Sequence, residues 1–339
     1  MPAAPHSPDE ARRLAAVKKL RLLGTPAEER FDVITRMARS QFDVPLACLD
    51  IVGEKLAWLK SVQGFDAIEG LRKDSYCHYT VLNDGVCVVR DARTDPRVHD
   101  SAFADSWVFY AGVPLHFEGE RVGVLCIGDD KSRDFSASHF NKLANLAAMA
   151  EREFQASILS DAQTALPASD DELEMKARID VLTHLWNRQA IFELAKSECG
   201  HASGEYPVTI LAVGVDDLDK IREDLGQATG DQVLRTVAER LRSALPPSDA
   251  AGRYEDEAFL AVLPNAGRRE AALVCERIRG AVSGAPVQFE QKAIPVTCSI
   301  GCAVSSGFAA DDALTLAARA GEALRRAAAS GRNRVEAAA

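Results

Sequence analysis

Long apolar runs are missing from this sequence, and so are closely spaced cysteine pairs and an excess of positive charge. No hydrophobic stretch approaches the roughly 18 residues that a membrane-spanning helix needs. Residues 1–10 also lack the basic and then apolar order of a signal peptide. We therefore expect a cytoplasmic protein without membrane insertion.

The eight cysteines are scattered, mostly in apolar strand-like runs, and none of them forms a CxxC pair. This spacing is typical of small buried thiols in a reducing compartment. Forty basic and fifty acidic side chains give a formal net charge of −10, which argues against broad capture of nucleic acid or anionic lipid. A length of 339 residues predicts two domains.

Changes in composition indicate where these domains lie. Residues 1–12 are predicted to form a disordered tail, residues 13–157 the first domain and residues 176–339 the second. The polar residues 158–175 between them are predicted to form a linker. Because a proline inside a helix costs about 3 kcal/mol, Pro167 is expected to interrupt any helix that would join the domains.

The first domain has the pattern of helices packed on a largely antiparallel sheet, an α+β fold. Helices are predicted at 10–23, 27–42 and 136–155, and strands at 46–52, 56–61, 86–89, 109–115 and 122–127. In the last helix, one buried stripe is predicted from helical spacing: Phe140, Leu143, Leu146 and Met149.

Several segments of this domain resemble a GAF domain: GTPAEERFD at 24–32, AWLKS at 57–61, YCH at 76–78, DARTDPR at 91–97, FYAGVPL at 109–115 and GVLCI at 123–127. The resemblance implies a sensing module of unidentified ligand, or one that only dimerises. Its candidate pocket residues are Trp58, Cys77, His78 and Tyr110. Metal or redox chemistry is an alternative for Cys77 and His78, but with Asp74 and His116 they form no recognisable ligand set.

The second domain alternates helices and strands in an order that predicts a ferredoxin-like or palm-type α/β sandwich. Four segments resemble a GGDEF (diguanylate cyclase) domain: DVLTHLWNR at 180–188, GQATGD at 226–231, VTCSIG at 296–301 and GRNRV at 331–335. The resemblance implies condensation of two GTP molecules into cyclic di-GMP by a dimer in which each subunit holds one GTP with a divalent metal.

The residues that carry this chemistry in the family are largely replaced. The five signature positions hold Glu255, Asp256, Glu257, Ala258 and Phe259. Acidic side chains replace both glycines, where they repel phosphate. Ala258 removes a carboxylate, whereas Glu257 keeps one at a metal-binding position, so we expect no catalytic residues here.

Spacing from the glycine of GQATGD extends this comparison. It places Gly214 at the first metal-binding aspartate of the family and Arg222 at the asparagine that reads guanine. A two-residue slip in the alignment would instead place Asp216 at the metal position. Asp216 and Glu257 are therefore possible metal remnants, although no metal site is expected.

Two further family sites bind phosphate groups. The resemblance leaves two nucleotide-binding remnants, Asp231 of the pair that reads guanine and Arg332 near the phosphates, while Ala328 replaces the phosphate-binding lysine. In the product-inhibition site, Asp249 is kept but Pro246 stands at the arginine position. Because a proline cannot form the bidentate arginine–phosphate contact, this inhibitory site is expected to be absent.

The sequence is interpreted as a catalytically inactive GAF–GGDEF protein, a regulatory or protein-interaction module in cyclic di-GMP-linked signalling. A GTP-binding pseudo-enzyme and an active diguanylate cyclase remain alternatives. No cofactor is expected, apart from Mg²⁺ if GTP is bound. The expected partners are a second copy through the GAF domain and a protein, such as an active cyclase or an effector, but no nucleic acid. The acidic residues 255–257 are a candidate contact for a basic partner surface.

Overall fold

The computed structural model describes residues 9–65, 67, 69–101, 103–157, 177–203, 206–246, 248–306 and 311–338. They fall in two compact units, 9–157 and 177–338. The predicted linker, with Pro167, lies outside the described residues, as do residues 1–8 of the predicted tail. None of the described helices is long and apolar enough to cross a membrane.

The first unit begins with helix α1 (Glu10–Leu20), so the prediction of a disordered tail is wrong for residues 10–12. The side chain of Arg13 is buried and donates hydrogen bonds to the carbonyl oxygens of Val52 at 2.6 Å and Gly53 at 3.1 Å. Glu10 forms ion pairs with Arg13 and with Arg72. These buried contacts fix the start of the helix because each charge has a partner.

A six-stranded sheet forms the centre of this unit, and all of its neighbouring strands are antiparallel. Its strands are β1 (Leu46–Val52), β2 (Leu56–Gln63), β3 (Glu69–Leu71), β4 (Cys87–Val89), β5 (Phe109–Phe117) and β6 (Glu120–Asp129), in the order β3-β2-β1-β6-β5-β4. The other helices are α2 (Glu29–Phe42), α3 (Tyr76–Thr80) and α4 (Ala137–Ser157). The predicted α+β fold is confirmed, although β3 and α3 were too short to be predicted.

The buried stripe of α4 differs from the predicted one. Leu143 and Leu146 are buried, but Phe140 and Met149 are 42% and 37% exposed. The stripe continues instead along residues spaced by three or four: Leu143, Leu146, Ala147, Ala150 and Phe154. Small alanines allow the helix to lie close to its neighbours, which leaves the larger flanking side chains at the surface.

The second unit is built on a five-stranded sheet in the order β13-β12-β7-β9-β8. Its strands are β7 (Thr209–Val215), β8 (Ala250–Arg253), β9 (Ala258–Leu263), β12 (Cys298–Val304) and β13 (Val335–Ala337), and β10 (Val287–Phe289) pairs separately with β11 (Lys292–Ile294). Its helices are α5 (Arg188–His201), α6 (Leu218–Leu225), α7 (Gln227–Ala244), α8 (Arg268–Ser283) and α9 (Ala313–Ala329). The predicted sandwich of sheet and helices is confirmed.

The central strand β7 ends where three other segments meet it. The backbone N–H of Val215 donates to the carbonyl oxygen of Glu257 at 3.1 Å, and the N–H of Asp216 donates to that of Thr297 at 3.0 Å. The backbone N–H of Asn333 donates to the Asp216 carboxylate at 3.0 Å. One end of the sheet is therefore formed by the end of β7, the β8–β9 hairpin and the loop before β13. The signature residues lie at this end.

Candidate functional site

The five signature residues lie in the hairpin that joins β8 to β9. The backbone N–H groups of Tyr254 and Glu255 both donate to the carbonyl oxygen of Ala258, at 2.9 and 3.1 Å, which closes a tight turn. Glu255 and Asp256 are exposed, Glu257 and Ala258 are half-buried and Phe259 is in the core. The turn is therefore kept without either glycine, and it presents two carboxylates to solvent.

Gly214, which the spacing from the glycine of GQATGD places at the first family metal ligand, lies on β7. Gly214 lies opposite Ala258 on β9 and opposite Ser299 on β12, so neither strand neighbour offers a carboxylate. A Cβ atom at this glycine would lie 3.2 Å from the Leu324 side chain of α9. An aspartate at this position would require Leu324 to move by a few tenths of an ångström.

Asp216, the alternative metal remnant, is used inside the protein. Its carboxylate is buried and accepts hydrogen bonds from the hydroxyls of Thr297 at 2.6 Å and Ser299 at 2.7 Å, besides the backbone N–H of Asn333. Three donors from two segments thus converge on one side chain. The arrangement gives Asp216 a structural role, since it ties β12 and the loop before β13 to the end of β7.

Arg222, which the same spacing aligns with the family's guanine-reading asparagine, extends to the signature hairpin. Its Nη1 atom lies 3.1 Å from Oε1 of Glu257. The alkyl part of the side chain runs along α7 at Gly230, where a Cβ atom would lie only 2.5 Å from Cγ of Arg222. A long cationic side chain therefore fills the space between α7 and the hairpin, and it contacts the Glu257 carboxyl group.

The Glu257 carboxyl group also faces a second acid. Burial, a hydrogen bond with Asp219 and the negative charge of that residue raise the pKa of Glu257 to about 7, although the charge of Arg222 opposes the shift. Like charges in a partly buried site favour sharing of a proton. Glu257 is therefore held by neighbours of both signs rather than open to a cation.

The two predicted nucleotide-binding remnants are both engaged by neighbouring side chains. Asp231 accepts a hydrogen bond at 2.9 Å from Gln227, the residue that stands in place of the family histidine. Nε of Arg332 lies 3.3 Å from a carboxylate oxygen of Asp217, and both side chains are about half exposed. Within the part of the chain that the structure describes, neither Asp231 nor Arg332 forms an ion pair with Arg222 or Glu257.

The predicted inhibitory-site residues Pro246 and Asp249 lie close together in one turn. The backbone N–H of Asp249 donates a hydrogen bond to the carbonyl oxygen of Pro246 at 3.0 Å. The Ser248 hydroxyl donates a hydrogen bond to the Asp249 carboxylate at 2.9 Å. Burial raises the pKa of Asp249 to about 6, opposed by the Ser248 hydrogen bond and the charge of Arg277. Asp249 is thus a half-buried local acceptor.

The first unit contains a cavity of about 180 Å³ on the face of the sheet that carries α3. Its lining is mostly apolar and includes Tyr76, Cys77, Trp107 and Tyr110, with Cys48, Asp50 and Cys126 from the strands. Burial raises the pKa of Asp50 to about 6, although hydrogen bonds with the Cys77 and Cys48 thiols oppose the shift.

Two of the four predicted pocket residues line this cavity, Cys77 and Tyr110. Trp58 does not, since it is buried elsewhere and donates its indole N–H to the carbonyl oxygen of Thr25 at 3.2 Å. His78 is not part of the lining either, because its Nδ1 accepts a hydrogen bond from Arg72 at 2.8 Å. The alternating side chains of β1 were the available signal for the residues that the sequence interpretation missed, Cys48 and Asp50.

Comparison with known proteins agrees with the two-domain architecture. The model of the diguanylate cyclase GGDEF domain matches residues 177–334, and the GAF domain model matches residues 26–154. Diguanylate cyclase A of Treponema denticola is 30% identical over 287 residues, which cover 80% of this chain and 72% of that protein. The chain belongs to the GAF–GGDEF family.

A cyclic di-GMP phosphodiesterase of Pseudomonas aeruginosa is also similar, with 28% identity over 311 residues. The match covers 90% of the GAF–GGDEF chain but only 49% of the phosphodiesterase, so the chain spans about half the length of that relative. The crystal structure of the GGDEF domain of DgcB from Caulobacter crescentus in complex with c-di-GMP has 30% identity and a TM-score of 0.45, and covers 48% of this chain and 96% of that one.

Replacing Asp216 with alanine tests its structural role in the GGDEF domain. The change leaves two hydroxyl donors and the Asn333 N–H without their acceptor, so we expect the free energy of unfolding of this domain to fall by about 3 kcal/mol in urea denaturation. The matched control Asp217→Asn keeps a residue type that tolerates the left-handed backbone of this position (φ 56°), so it removes only a half-exposed ion pair and should cost less than about 1 kcal/mol. Equal losses in both variants would contradict the assignment.

The titration of Glu257 tests the environment of the signature hairpin. We expect its ¹³C carboxyl resonance to titrate near pH 7, and Asp219→Asn to lower this pKa by removing a like charge. Arg222→Met should raise it. Because the folded pKa exceeds the ordinary value, this group makes the GGDEF domain less stable as the pH rises from about 4.5 to about 7. A wild-type midpoint near 4.5, unchanged in both variants, would contradict this description.

Proposed function

We propose that this GAF–GGDEF protein is catalytically inactive and serves as a regulatory or protein-interaction module in cyclic di-GMP-linked signalling. The relatives named as a diguanylate cyclase and a cyclic di-GMP phosphodiesterase support the signalling context. The observation that carries the loss of activity is the 3.1 Å contact between Arg222 and Glu257 across the nucleotide position.

The donor set does not fit the divalent metal that the family reaction requires. Magnesium prefers several oxygen ligands in near-octahedral geometry, commonly carboxylates together with phosphate oxygens. The two strand positions that face each other here are Gly214 and Ala258, which have no side-chain oxygen. Glu257 is the one signature carboxylate at a metal position, and Arg222 already contacts it.

The surroundings of the site also disfavour a triphosphate. Glu255 and Asp256 present negative charge on the turn where bare glycine backbone would approach the nucleotide. Ala328 supplies no cation, and Arg332 is paired with Asp217. Phosphate groups would therefore meet two carboxylates and a cation that already has a counter-charge.

A GTP-binding pseudo-enzyme is the second candidate, and the exposure of Arg332 favours it. Arg332 is 52% exposed, and the pair it forms with Asp217 is weak enough for a phosphate to displace. Asp231 is only half-buried, so its carboxylate is available to a guanine base once Gln227 moves. Binding of this kind would need no turnover, and Mg²⁺ would enter only with the nucleotide.

We also propose a homodimer through the GAF domain and a protein partner at the signature hairpin. Helices α2 and α4 leave large apolar side chains 37–43% exposed: Val33, Met37, Phe140 and Met149. Such side chains on two helices that pack together suit a second copy of the chain. The exposed Glu255 and Asp256 suit a basic surface on an active cyclase or an effector.

Product analysis tests the loss of catalysis. The purified full chain is incubated with GTP and Mg²⁺, and cyclic di-GMP is measured by mass spectrometry beside diguanylate cyclase A of Treponema denticola as the active reference. We expect no product above the protein-free control, because the site lacks a metal-binding carboxylate pair. Light scattering of the same sample should give twice the chain mass.

Glu257→Gln is the matched variant for this assay. Product formed by the wild type and lost in Glu257→Gln would contradict the proposal, since it would assign catalysis to the remaining signature carboxylate. Product formed equally by both proteins, and kept after further purification, would also contradict the proposal, whereas product lost on purification would belong to a contaminating cyclase.

A further inference from the structure

Three cysteines and one aspartate meet at the base of the GAF cavity. The Sγ atoms of Cys48 and Cys126 lie 2.9 Å apart, and that of Cys77 lies 3.8 Å from that of Cys126. One ligand atom each from Cys48, Asp50 and Cys126 lie within 4.8 Å of one another. All four side chains are at most 3% exposed. Among the described residues, no other group of three metal-binding side chains is as close.

The fold brings these residues together from three parts of the sequence. Cys48 and Asp50 alternate along β1, so both side chains point to the same face of the sheet. Cys126 of β6 is the direct register partner of Cys48. Helix α3 lies over this face and supplies Cys77. The sheet therefore positions three of the donors as one close group, and the packed helix adds Cys77 beside Cys126.

Asp50 provides the observation that points to a bound cation. Its Oδ1 atom is buried and has no hydrogen-bond partner within the part of the chain that the structure describes. A buried carboxylate without full pairing is costly, and such groups are ordinarily paired with a cation or bound to a metal. Here the groups nearest to the carboxylate include the Cys48 and Cys77 thiols, which are themselves metal ligands.

We propose that Cys48, Cys77, Cys126 and Asp50 bind one thiophilic d¹⁰ cation of the Zn²⁺ class in the GAF domain. Sulfur ligands select such ions, and four N, O or S donors in tetrahedral geometry are usual for zinc. A Zn–S bond of about 2.3 Å places tetrahedral sulfur atoms roughly 3.8 Å apart. The Cys77–Cys126 separation already has this value, and the Cys48–Cys126 pair has to open by about 0.9 Å.

The cavity beside these donors connects the cation to a sensing role. Its aromatic lining shields the ligands from water, and this environment strengthens the interaction between the ion and its thiolates. On binding, the thiol protons and any proton on Asp50 are released to solvent, since the deprotonated groups are the ligands. The site lies wholly within the GAF domain, so the proposal does not depend on whether the GGDEF domain is active.

Cobalt substitution tests the site directly. The reduced, metal-free full chain is titrated with Co²⁺, and the absorption of a tetrahedral thiolate complex is followed until Zn²⁺ displaces it. We expect one equivalent of Co²⁺ per chain. Cys48→Ser, Cys77→Ser, Cys126→Ser and Asp50→Asn should each lose the saturable absorption at one equivalent.

Cys87→Ser is the matched control, because Cys87 is a buried cysteine of the same domain whose Sγ contacts Arg97 at 3.5 Å instead. This variant should keep the full signal. Far-ultraviolet circular dichroism identifies any variant that fails to fold, and Asp50→Asn then gives the decisive comparison as the smallest change. Three results would overturn the proposal: no uptake by the wild type, a signal that survives both Cys77→Ser and Cys126→Ser, or a Cys48–Cys126 disulfide that forms while Co²⁺ and Zn²⁺ do not bind.

Discussion

The contact between Arg222 and Glu257 dominates the candidate site because it joins helix α6 to the signature hairpin. An arginine at this position reaches the hairpin only because Gly230 leaves room along α7. The Glu257 carboxyl group therefore lies beside the guanidinium of Arg222 as well as beside Asp219. The replacements at Gly214 and Ala258 are consistent with this state, since neither position offers an oxygen that would compete for a metal.

In this GGDEF domain, the residues that hold the fold together differ from those at the family's metal-binding and base-reading positions. Asp216 holds the end of β7, β12 and the loop before β13 through three hydrogen bonds, and none of these needs a nucleotide. The turn between β8 and β9 closes through backbone hydrogen bonds that any side chain permits. The hydrogen bonds that hold this end of the sheet are therefore independent of the side chains at the signature positions.

Hydrophobic periodicity was sufficient to predict the long helices and strands, because it depends on local spacing. Periodicity could not predict which residues from distant parts of the sequence contact each other. Arg222 and Glu257 are 35 residues apart, and Cys48 and Cys126 are 78 residues apart. Trp58 was taken for a pocket residue because an aromatic strand residue fits either face of a sheet. Only the register of β1 with its neighbours shows that Cys48 and Asp50 belong to the cavity.

Calorimetric titration of the purified chain with GTP in the presence of Mg²⁺ tests the central claim most directly. If Arg222 and the hairpin carboxylates fill the nucleotide position, the titration gives no saturable heat, and Arg222→Asn, which opens that space, gives a larger response than the wild type. Stoichiometric binding of GTP by the wild type, with the Arg222–Glu257 contact intact, would contradict the account.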